Sequence, residues 1–313
     1  MADIVFSGVN FSGGFAITAP PPPSSKAIFG YGSVSGGTPV SMTNLVSNTG
    51  VVATDTTGVG TARQNLAGAG YGTDKAIFGY GQTDGSTVVS TTNLVSNTGV
   101  VGNDVTGVGS ARYGVSGAGY GTDKAIFGYG HIPFVGAQRL TNLVSNTGVV
   151  ASDISSPSPA VPYRGAAGYG TDKAIFVFGG GASGDVNLVS NTGVVATSTV
   201  SVGTQRYGLG GAGYGSTGQA IFGYGYSTAY VSIINLVSNT GVLASDTTGV
   251  GTGRAYLAAA GYGGDKAIFG YGYGTTYVSM TNLVSNTGIV ATDTTGVGTA
   301  RSGLAAASYG YTA

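Results

Sequence analysis

The residue types that carry most enzyme chemistry are scarce in this chain. Its 313 residues include no Cys, no Trp and a single His, His131, and all twelve acidic residues are Asp. Thiolate nucleophiles, zinc-thiolate sites and Glu-based acid-base pairs are therefore excluded, and a Ser-His-Asp triad could use only His131. We expect a non-enzymatic protein with no catalytic residues, no metal site and no cofactor.

Arginine is the remaining candidate for chemistry, because guanidinium groups gathered at one place can bind an anion. Six of the seven arginines recur along the chain, at Arg63, Arg112, Arg164, Arg206, Arg254 and Arg301. An Asp lies eight residues before four of them, and Asp153 lies eleven before Arg164, which favours structural ion pairs. Among the six equivalent segments, only Thr197-Ser198-Thr199 contains no Asp. Arg206, which follows it, is therefore the best candidate for an unpaired, anion-binding charge.

These arginines belong to an internal repeat of six units. The segment KAIFGYG or a close variant begins at Lys26, Lys75, Lys124, Lys173, Gln219 and Lys266, and NLVSNTG follows each copy, at Asn44, Asn93, Asn142, Asn187, Asn235 and Asn282. A period of 46 to 49 residues indicates one supersecondary unit per repeat.

Each unit contains four short runs of β character, most easily seen between Arg63 and Val108. We expect strands over 65–71, 75–80 and 92–96, then a tight hairpin at Asn97-Thr98-Gly99 with Gly at positive φ, and a fourth strand from Val100.

The apolar residues stand at consecutive positions, which is typical of sheets covered on both faces. Small four-stranded sheets of this kind need neighbours, and a repeat of this length favours a radial β-propeller with Gly and Ala on its crowded inner strands. Membrane-barrel strands would need about 9 to 11 alternating residues, and β-solenoid coils repeat at about half this period.

The order of Arg, small-residue strand, apolar strand ending in Gly, loop, third strand and tight turn resembles the kelch repeat. The fourth unit matches best, with Arg164 before 165–170 and KAIFVFGG over 173–180. The units depart from the kelch pattern in lacking its Trp and Tyr in the third and fourth strands. The resemblance implies an all-β, six-bladed kelch-like propeller over 26–313.

The two ends of the chain are complementary. Residues 301–310 repeat the inner strand and then stop, whereas Lys26 begins at a second strand, so we expect the C-terminal strand to close the ring. Residues 9–18 are the alternative closing strand. Residues 1–25 are otherwise expected to form an N-terminal arm, with Pro20 to Pro23 as a stiff spacer.

The loop after each second strand varies, whereas the strands are nearly identical, and function tends to reside in such loops. Tyrosine there offers rigid amphipathic contact area. The candidate binding residues in these loops are His131, Phe134, Arg139, Tyr226, Tyr230, Tyr273 and Tyr277.

Composition bounds the function further. Zero net charge disfavours nucleic-acid binding. The sequence contains no run of about 18 apolar residues free of Gly, so we expect no membrane insertion. It also shows no signal peptide, so synthesis in the host cytoplasm is expected. The chain is low in charge, free of Cys and rich in Gly, Ser, Thr, Ala and Val. In this composition it resembles tailed-bacteriophage virion proteins of the tail, fibre or capsid appendages. That resemblance implies a structural attachment protein located in the virion. The arm would bind other virion proteins and the loops a host-surface glycan or protein. A carbohydrate-binding propeller lectin is the alternative.

Overall fold

The short apolar runs of the sequence form short antiparallel strands. In this computed structural model, which describes residues 25–181 and 183–310, all regular structure is β, and no membrane-spanning helix occurs among those residues. The strands are β1 (Lys26–Gly30), β2 (Ser33–Val34), β3 (Thr38–Pro39), β4 (Thr43–Val46), β5 (Ala67–Tyr71), β6 (Lys75–Gly79), β7 (Thr92–Val95), β8 (Ser116–Tyr120), β9 (Lys124–Gly128), β10 (His131–Ile132), β11 (Gly136–Ala137), β12 (Leu140–Val144), β13 (Ile154–Ser155), β14 (Gly165–Tyr169), β15 (Lys173–Val177), β16 (Asp185–Val189), β17 (Thr199–Val200), β18 (Gly210–Tyr214), β19 (Gln219–Gly223), β20 (Ile234–Val237), β21 (Ala258–Tyr262), β22 (Lys266–Gly270), β23 (Thr281–Val284) and β24 (Ala305–Tyr309).

The main strands form six small sheets, one for each repeat. We number them in chain order by their second strands: sheet 1 (β24-β1-β4), sheet 2 (β5-β6-β7), sheet 3 (β8-β9-β12-β13), sheet 4 (β14-β15-β16-β17), sheet 5 (β18-β19-β20) and sheet 6 (β21-β22-β23). The pairs β2-β3 and β10-β11 are separate hairpins within the loops of sheets 1 and 3.

Sheet 1 joins the two ends of the described chain. β24 pairs antiparallel with β1, with Lys26 opposite Tyr309 and Gly30 opposite Ala305. The predicted pairing of the C-terminal strand is thereby confirmed, and it covers an edge of β1 that would otherwise expose unpaired backbone groups. The alternative strand at 9–18 and the predicted N-terminal arm up to residue 24 lie outside the described residues.

The fourth strand of each unit is shorter than the sequence predicts. Only sheets 3 and 4 carry one, and β13 and β17 have two residues each; the equivalent segments elsewhere make isolated bridges such as Val46 with Val52 and Thr43 with Thr56. These segments lie on the outer, exposed edge, where Val51 is 66% exposed. Little apolar burial is available there to hold a longer strand.

The first strands of the six sheets contact one another in cyclic order: β24, β5, β8, β14, β18, β21 and again β24. Their small residues permit this close approach. A Cβ on Gly68 would lie 2.6 Å from the carbonyl oxygen of Ala306, and one on Gly117 would lie 2.7 Å from that of Gly68. The innermost strands therefore carry only Gly or Ala at this position, as the sequence predicts.

The core lies between neighbouring sheets. Ile77 and Phe78 of β6 are fully buried although they point to opposite faces, which confirms that both faces of the sheet are covered. Phe78 packs edge-on against Tyr31 of sheet 1, with ring centroids 5.4 Å apart. The guanidinium of Arg63 lies 4.3 Å from the centroid of the same Tyr31 ring, so each of these side chains ties one sheet to the next.

Candidate functional site

The six repeated arginines are buried and structural. In five sheets the guanidinium donates the same three hydrogen bonds. Its acceptors are the backbone carbonyl just after the second strand, the backbone carbonyl two residues before the Arg itself, and the side-chain oxygen of the Asn in the third strand. In sheet 3, Arg112 donates to Tyr129 O at 2.7 Å, Ser110 O at 2.9 Å and Asn142 Oδ1 at 2.6 Å. These groups brace the sheet, and they present no row of free donors to a ligand.

Each ion pair joins residues of one sheet, which corrects the pairing expected from sequence spacing. Arg112 Nη1 lies 3.7 Å from Asp153 Oδ1, and Arg206 Nη1 lies 4.0 Å from Asp246 Oδ1. The sequence spacing predicts that Asp153 pairs with Arg164, but the carboxylate comes from the outer segment of the sheet that the Arg opens. For Arg112, Arg206 and Arg254 this Asp follows in the same unit, and for Arg301 it is Asp55 of sheet 1. The expectation of an unpaired charge at Arg206 was therefore wrong.

Sheet 4 is the exception, and its arginine is Arg164. Ser198 stands where the other sheets have Asp, and Pro162 stands two residues before the Arg, where they have Thr or Ser. Arg164 Nη2 donates to Asp185 O at 2.7 Å, whereas Nε and Nη1 are buried and find no hydrogen-bond partner among the described residues. Burial lowers the pKa of Arg164, and the nearby Tyr129 and Asp185 offset that effect only in part.

At one end of the six inner strands, the backbone closes a ring of hydrogen bonds. The ring residues, one from each sheet, are Gly303, Asn65, Gly114, Tyr163, Gly208 and Tyr256. Each N–H donates to the carbonyl of the ring residue in the preceding sheet, at 2.6 to 3.1 Å. All six have positive φ, between 54° and 63°, so the ring depends on left-handed backbone at every member.

Three of the ring residues are not Gly, and their side chains cover the glycines. A Cβ on Gly114 would lie 3.2 Å from the Tyr163 ring, and one on Gly208 would lie 3.2 Å from Cδ1 of Tyr256. Asn65 covers Gly303 in the same way, with its Oδ1 at 2.7 Å from the corresponding position. We call Asn65, Tyr163 and Tyr256 the axial cap.

Around the axial cap runs a continuous chain of partly exposed aromatic side chains, here called the aromatic crescent. Its members are Tyr113, His131, Tyr207, Tyr226, Tyr230, Tyr273 and Tyr277. Successive ring centroids, taken through the two cap tyrosines, are 5.0 to 6.0 Å apart, in tilted or edge-to-face geometry. The isolated bridge between Tyr207 and Tyr226 anchors the variable loop of sheet 5 to the start of its inner strand.

The structure brings together five of the residues singled out from the sequence, namely His131, Tyr226, Tyr230, Tyr273 and Tyr277. Phe134 stands apart at the tip of the β10-β11 hairpin, 99% exposed, and Arg139 is also exposed. Arg206 is fully buried within sheet 5.

Sequence reasoning missed Tyr113, Tyr163, Tyr207 and Tyr256, which connect the predicted residues into one surface. For Tyr113 and Tyr207 a signal was present, because the position after the repeated Arg varies as freely as the loops do: Gln64, Tyr113, Gly165, Tyr207, Ala255 and Ser302.

The two ends of the inner strands differ in charge. At the crescent end, the six variable loops carry only Asp84, Arg139 and Asp185 as charged residues. The opposite end opens into a funnel of about 420 Å³, bordered by the last tyrosine of each inner strand. Four ion pairs, Lys75–Asp74, Lys124–Asp123, Lys173–Asp172 and Lys266–Asp265, surround it at 2.8 to 2.9 Å.

The space along the axis beneath the cap is small. The cavity there measures about 110 Å³, which is smaller than a cavity of about 150 Å³ that holds one benzene molecule. No group of three or more potential metal-ligating side chains occurs within residues 25–181 and 183–310. A ligand at this end would therefore lie across the cap and the crescent. No protein-family model matches the chain, and a comparison with curated proteins yields no match.

Proposed function

We propose that this chain is a non-enzymatic attachment protein built as a six-bladed, kelch-like β-propeller over residues 26–313. The cyclic contacts of the six inner strands, the pairing of β24 with β1 and the ring of backbone hydrogen bonds support this architecture. Each sheet then forms one blade, and β1 and β24, from opposite ends of the described chain, pair within the first blade, which leaves no open edge between blades.

The observation that carries the function is the difference between the two ends of the inner strands. The funnel end repeats a Lys–Asp pair in four of the six sheets. The crescent end gathers nine aromatic side chains into one surface, and these are distributed unequally among the sheets. Rigid tyrosine side chains provide large contact area at low entropic cost and are typical of recognition surfaces. The crescent end is therefore the binding face in this proposal.

The position of the chain entry supports attachment to a larger particle. Ser25, the first described residue, borders the funnel and accepts a hydrogen bond from Gly263 N–H at 2.7 Å. Ser25, the last residue of the proposed arm (residues 1–25), thus lies at the end opposite to the crescent. An arm held by other virion proteins would leave the crescent facing outward, toward a host-surface glycan or protein. The compositional resemblance to tailed-bacteriophage virion proteins motivates this choice of particle.

Mass spectrometry of purified particles tests the proposal. Particles from the source of the chain should contain it at a fixed ratio to the shell protein, and a chain lacking residues 1–24 should fold but fail to join them. Recovery of the full chain only as free soluble protein would contradict the virion assignment.

A free carbohydrate-binding propeller lectin is the second candidate, favoured by the low charge and many phenol groups of the crescent end. The unequal distribution of tyrosines among the six sheets weighs against a regular array of six sugar sites. Particle fractionation separates the two candidates, because a free lectin has no reason to co-purify with particles.

A further inference from the structure

We infer that the axial cap and the aromatic crescent together form a single binding site for a neutral oligosaccharide, with Tyr163 and Tyr256 as its central platform. This inference rests on the proposed recognition function and specifies the ligand of the same face.

The backbone at the cap is the first reason. Tyr163 and Tyr256 have φ of 57° and 54°, in the left-handed region, where the backbone of a bulky residue is strained. The chain contains its own comparison, because the equivalent positions in three other sheets are Gly114, Gly208 and Gly303. Gly closes the hydrogen-bonded ring without that strain. Left-handed φ by itself does not mark a site in this chain, because the buried core residues Tyr31 and Tyr80 share it, with φ of 63°. The comparison with Gly shows instead that the two cap tyrosines are not needed for closure, so their side chains are available for recognition.

The arrangement of the rings is the second reason. Tyr163 and Tyr256 pack edge to face with centroids 5.5 Å apart, and each touches a crescent tyrosine, Tyr113 or Tyr207, at 6.0 Å. Aromatic faces of this kind stack against the C–H groups of a sugar ring, while phenol hydroxyls bond its hydroxyls. Burial raises the pKa of both cap tyrosines, so their hydroxyls remain protonated donors at neutral pH.

Charge decides between ligand classes. All five lysines head the second strands, at the funnel end, and Arg139 is the one exposed arginine among the described residues. A surface so poor in cations offers nothing to sulfate, sialate or phosphate groups, which need Arg or Lys partners. A neutral, polyhydroxylated ligand matches phenol groups and aromatic faces with few charges.

Size argues for more than one sugar unit. The cavity beneath the cap is too small for a sugar ring, so the ligand must lie on the surface. The crescent runs from His131 in sheet 3 through the cap to Tyr277 in sheet 6, a path of nine linked aromatic rings. That length suits an oligosaccharide that contacts several rings at once.

The test uses the full chain on a printed array that carries neutral oligosaccharides of hexose and N-acetylhexosamine, sialylated and sulfated glycans, and proline-rich peptides. We expect the unmodified chain to bind neutral oligosaccharides. Tyr163→Gly and Tyr256→Gly should each weaken that binding about tenfold or more while shifting the melting temperature by less than about 2 °C, because the loss of ring packing is offset by relief of backbone strain. Lys124→Ala, at the funnel end, is the matched control and should bind as the unmodified chain does.

A second variant, Tyr207→Ala, removes a crescent ring without touching a left-handed position, and it should weaken binding even if a cap variant fails to fold. Binding only to acidic glycans, only to proline-rich peptides or to nothing on the array overturns the inference. So does neutral binding that survives in Tyr207→Ala and in the folded cap variants. A chain that is present in particles but silent toward neutral oligosaccharides refutes the saccharide site and leaves the proposed attachment function standing.

Discussion

Replacing Asp293 by Ala tests whether the carboxylate of the outer segment holds one sheet together. Its Oδ2 accepts from the backbone N–H and the hydroxyl of Thr252 at 2.9 and 2.7 Å, and its Oδ1 accepts from Asn282 Nδ2 at 2.9 Å. Arg254 Nη1 lies 3.9 Å from Oδ1, so the carboxylate also balances a fully buried cation. The change to Ala removes all four interactions at once.

The expected cost follows from these contacts. A hydrogen bond to a charged group contributes about 1.5 to 3 kcal/mol net. The Asp293 side chain is 27% exposed, so water replaces part of the loss, and Arg254 keeps its bonds to Tyr271, Thr252 and Asn282. We therefore expect the free energy of unfolding to fall by about 3 kcal/mol, which corresponds to a decrease in melting temperature of about 4 to 5 °C for a chain of this length.

Ser198→Ala is the matched control, because Ser198 occupies the equivalent position in sheet 4. Its hydroxyl accepts one bond from Asn187 Nδ2, at 3.1 Å, and the control should cost less than about 1 kcal/mol. Differential scanning calorimetry at pH 7 compares both variants with the unmodified chain. Equal decreases in melting temperature for the two would refute the assignment of a bracing role to the carboxylates.

Three further predictions follow from the same contacts. Burial raises the pKa of Asp55, Asp104, Asp153, Asp246 and Asp293, but bonds from Thr or Ser and from Asn, with the charge of the nearby Arg, outweigh it and lower each pKa. The stability that these ionised carboxylates contribute is complete above the ordinary pKa of Asp, near 4, and is lost as the pH falls through the lowered pKa values. The urea concentration at the midpoint of unfolding should therefore be constant from pH 7 to 5 and decrease below about pH 4. A midpoint that stays constant down to pH 2.5 would contradict this. Phe178→Tyr should raise the melting temperature by about 1 °C, because Tyr31 and Tyr80 at equivalent positions donate to Val59 O and Val108 O at 3.1 and 3.0 Å; a decrease would show that sheet 4 has no acceptor in reach. Deletion of residues 301–313, which removes β24 and Arg301, should abolish cooperative unfolding in calorimetry, whereas deletion of residues 1–24 should leave the transition intact.

Most of the fold could be predicted from local patterns in the sequence. The copies of KAIFGYG and NLVSNTG mark strands whose burial is set by their own residues, and the hairpin glycines, such as Gly99 with φ of 86°, follow from turn chemistry. Pairing of the C-terminal strand could be predicted because Ala305–Tyr309 repeats the inner-strand segment, whereas the first unit, which begins at Lys26, has no copy of that segment before it.

Features that depend on contacts between sheets could not be read in the same way. Spacing along the chain suggested Asp153 as the partner of Arg164, but the sheet to which a residue belongs decides the pair, and Asp153 contacts Arg112. The left-handed backbone of Tyr163 and Tyr256 arises from closure of the hydrogen-bonded ring, which no local propensity encodes. For the same reason the crescent was predicted only in part, from its loops and not from Tyr113 and Tyr207.

The hydrogen-bonded ring also limits how this chain can change in length. Repeat units with such similar sequences favour unequal recombination of the gene, which adds or deletes whole units. Six carbonyl-to-amide bonds of 2.6 to 3.1 Å close the ring at a fixed angle between neighbouring sheets. A chain of five or seven units would have to change every one of those angles or leave an inner strand with unpaired backbone groups. The geometry of the axis therefore preserves the copy number, while the residues at its rim remain free to diverge.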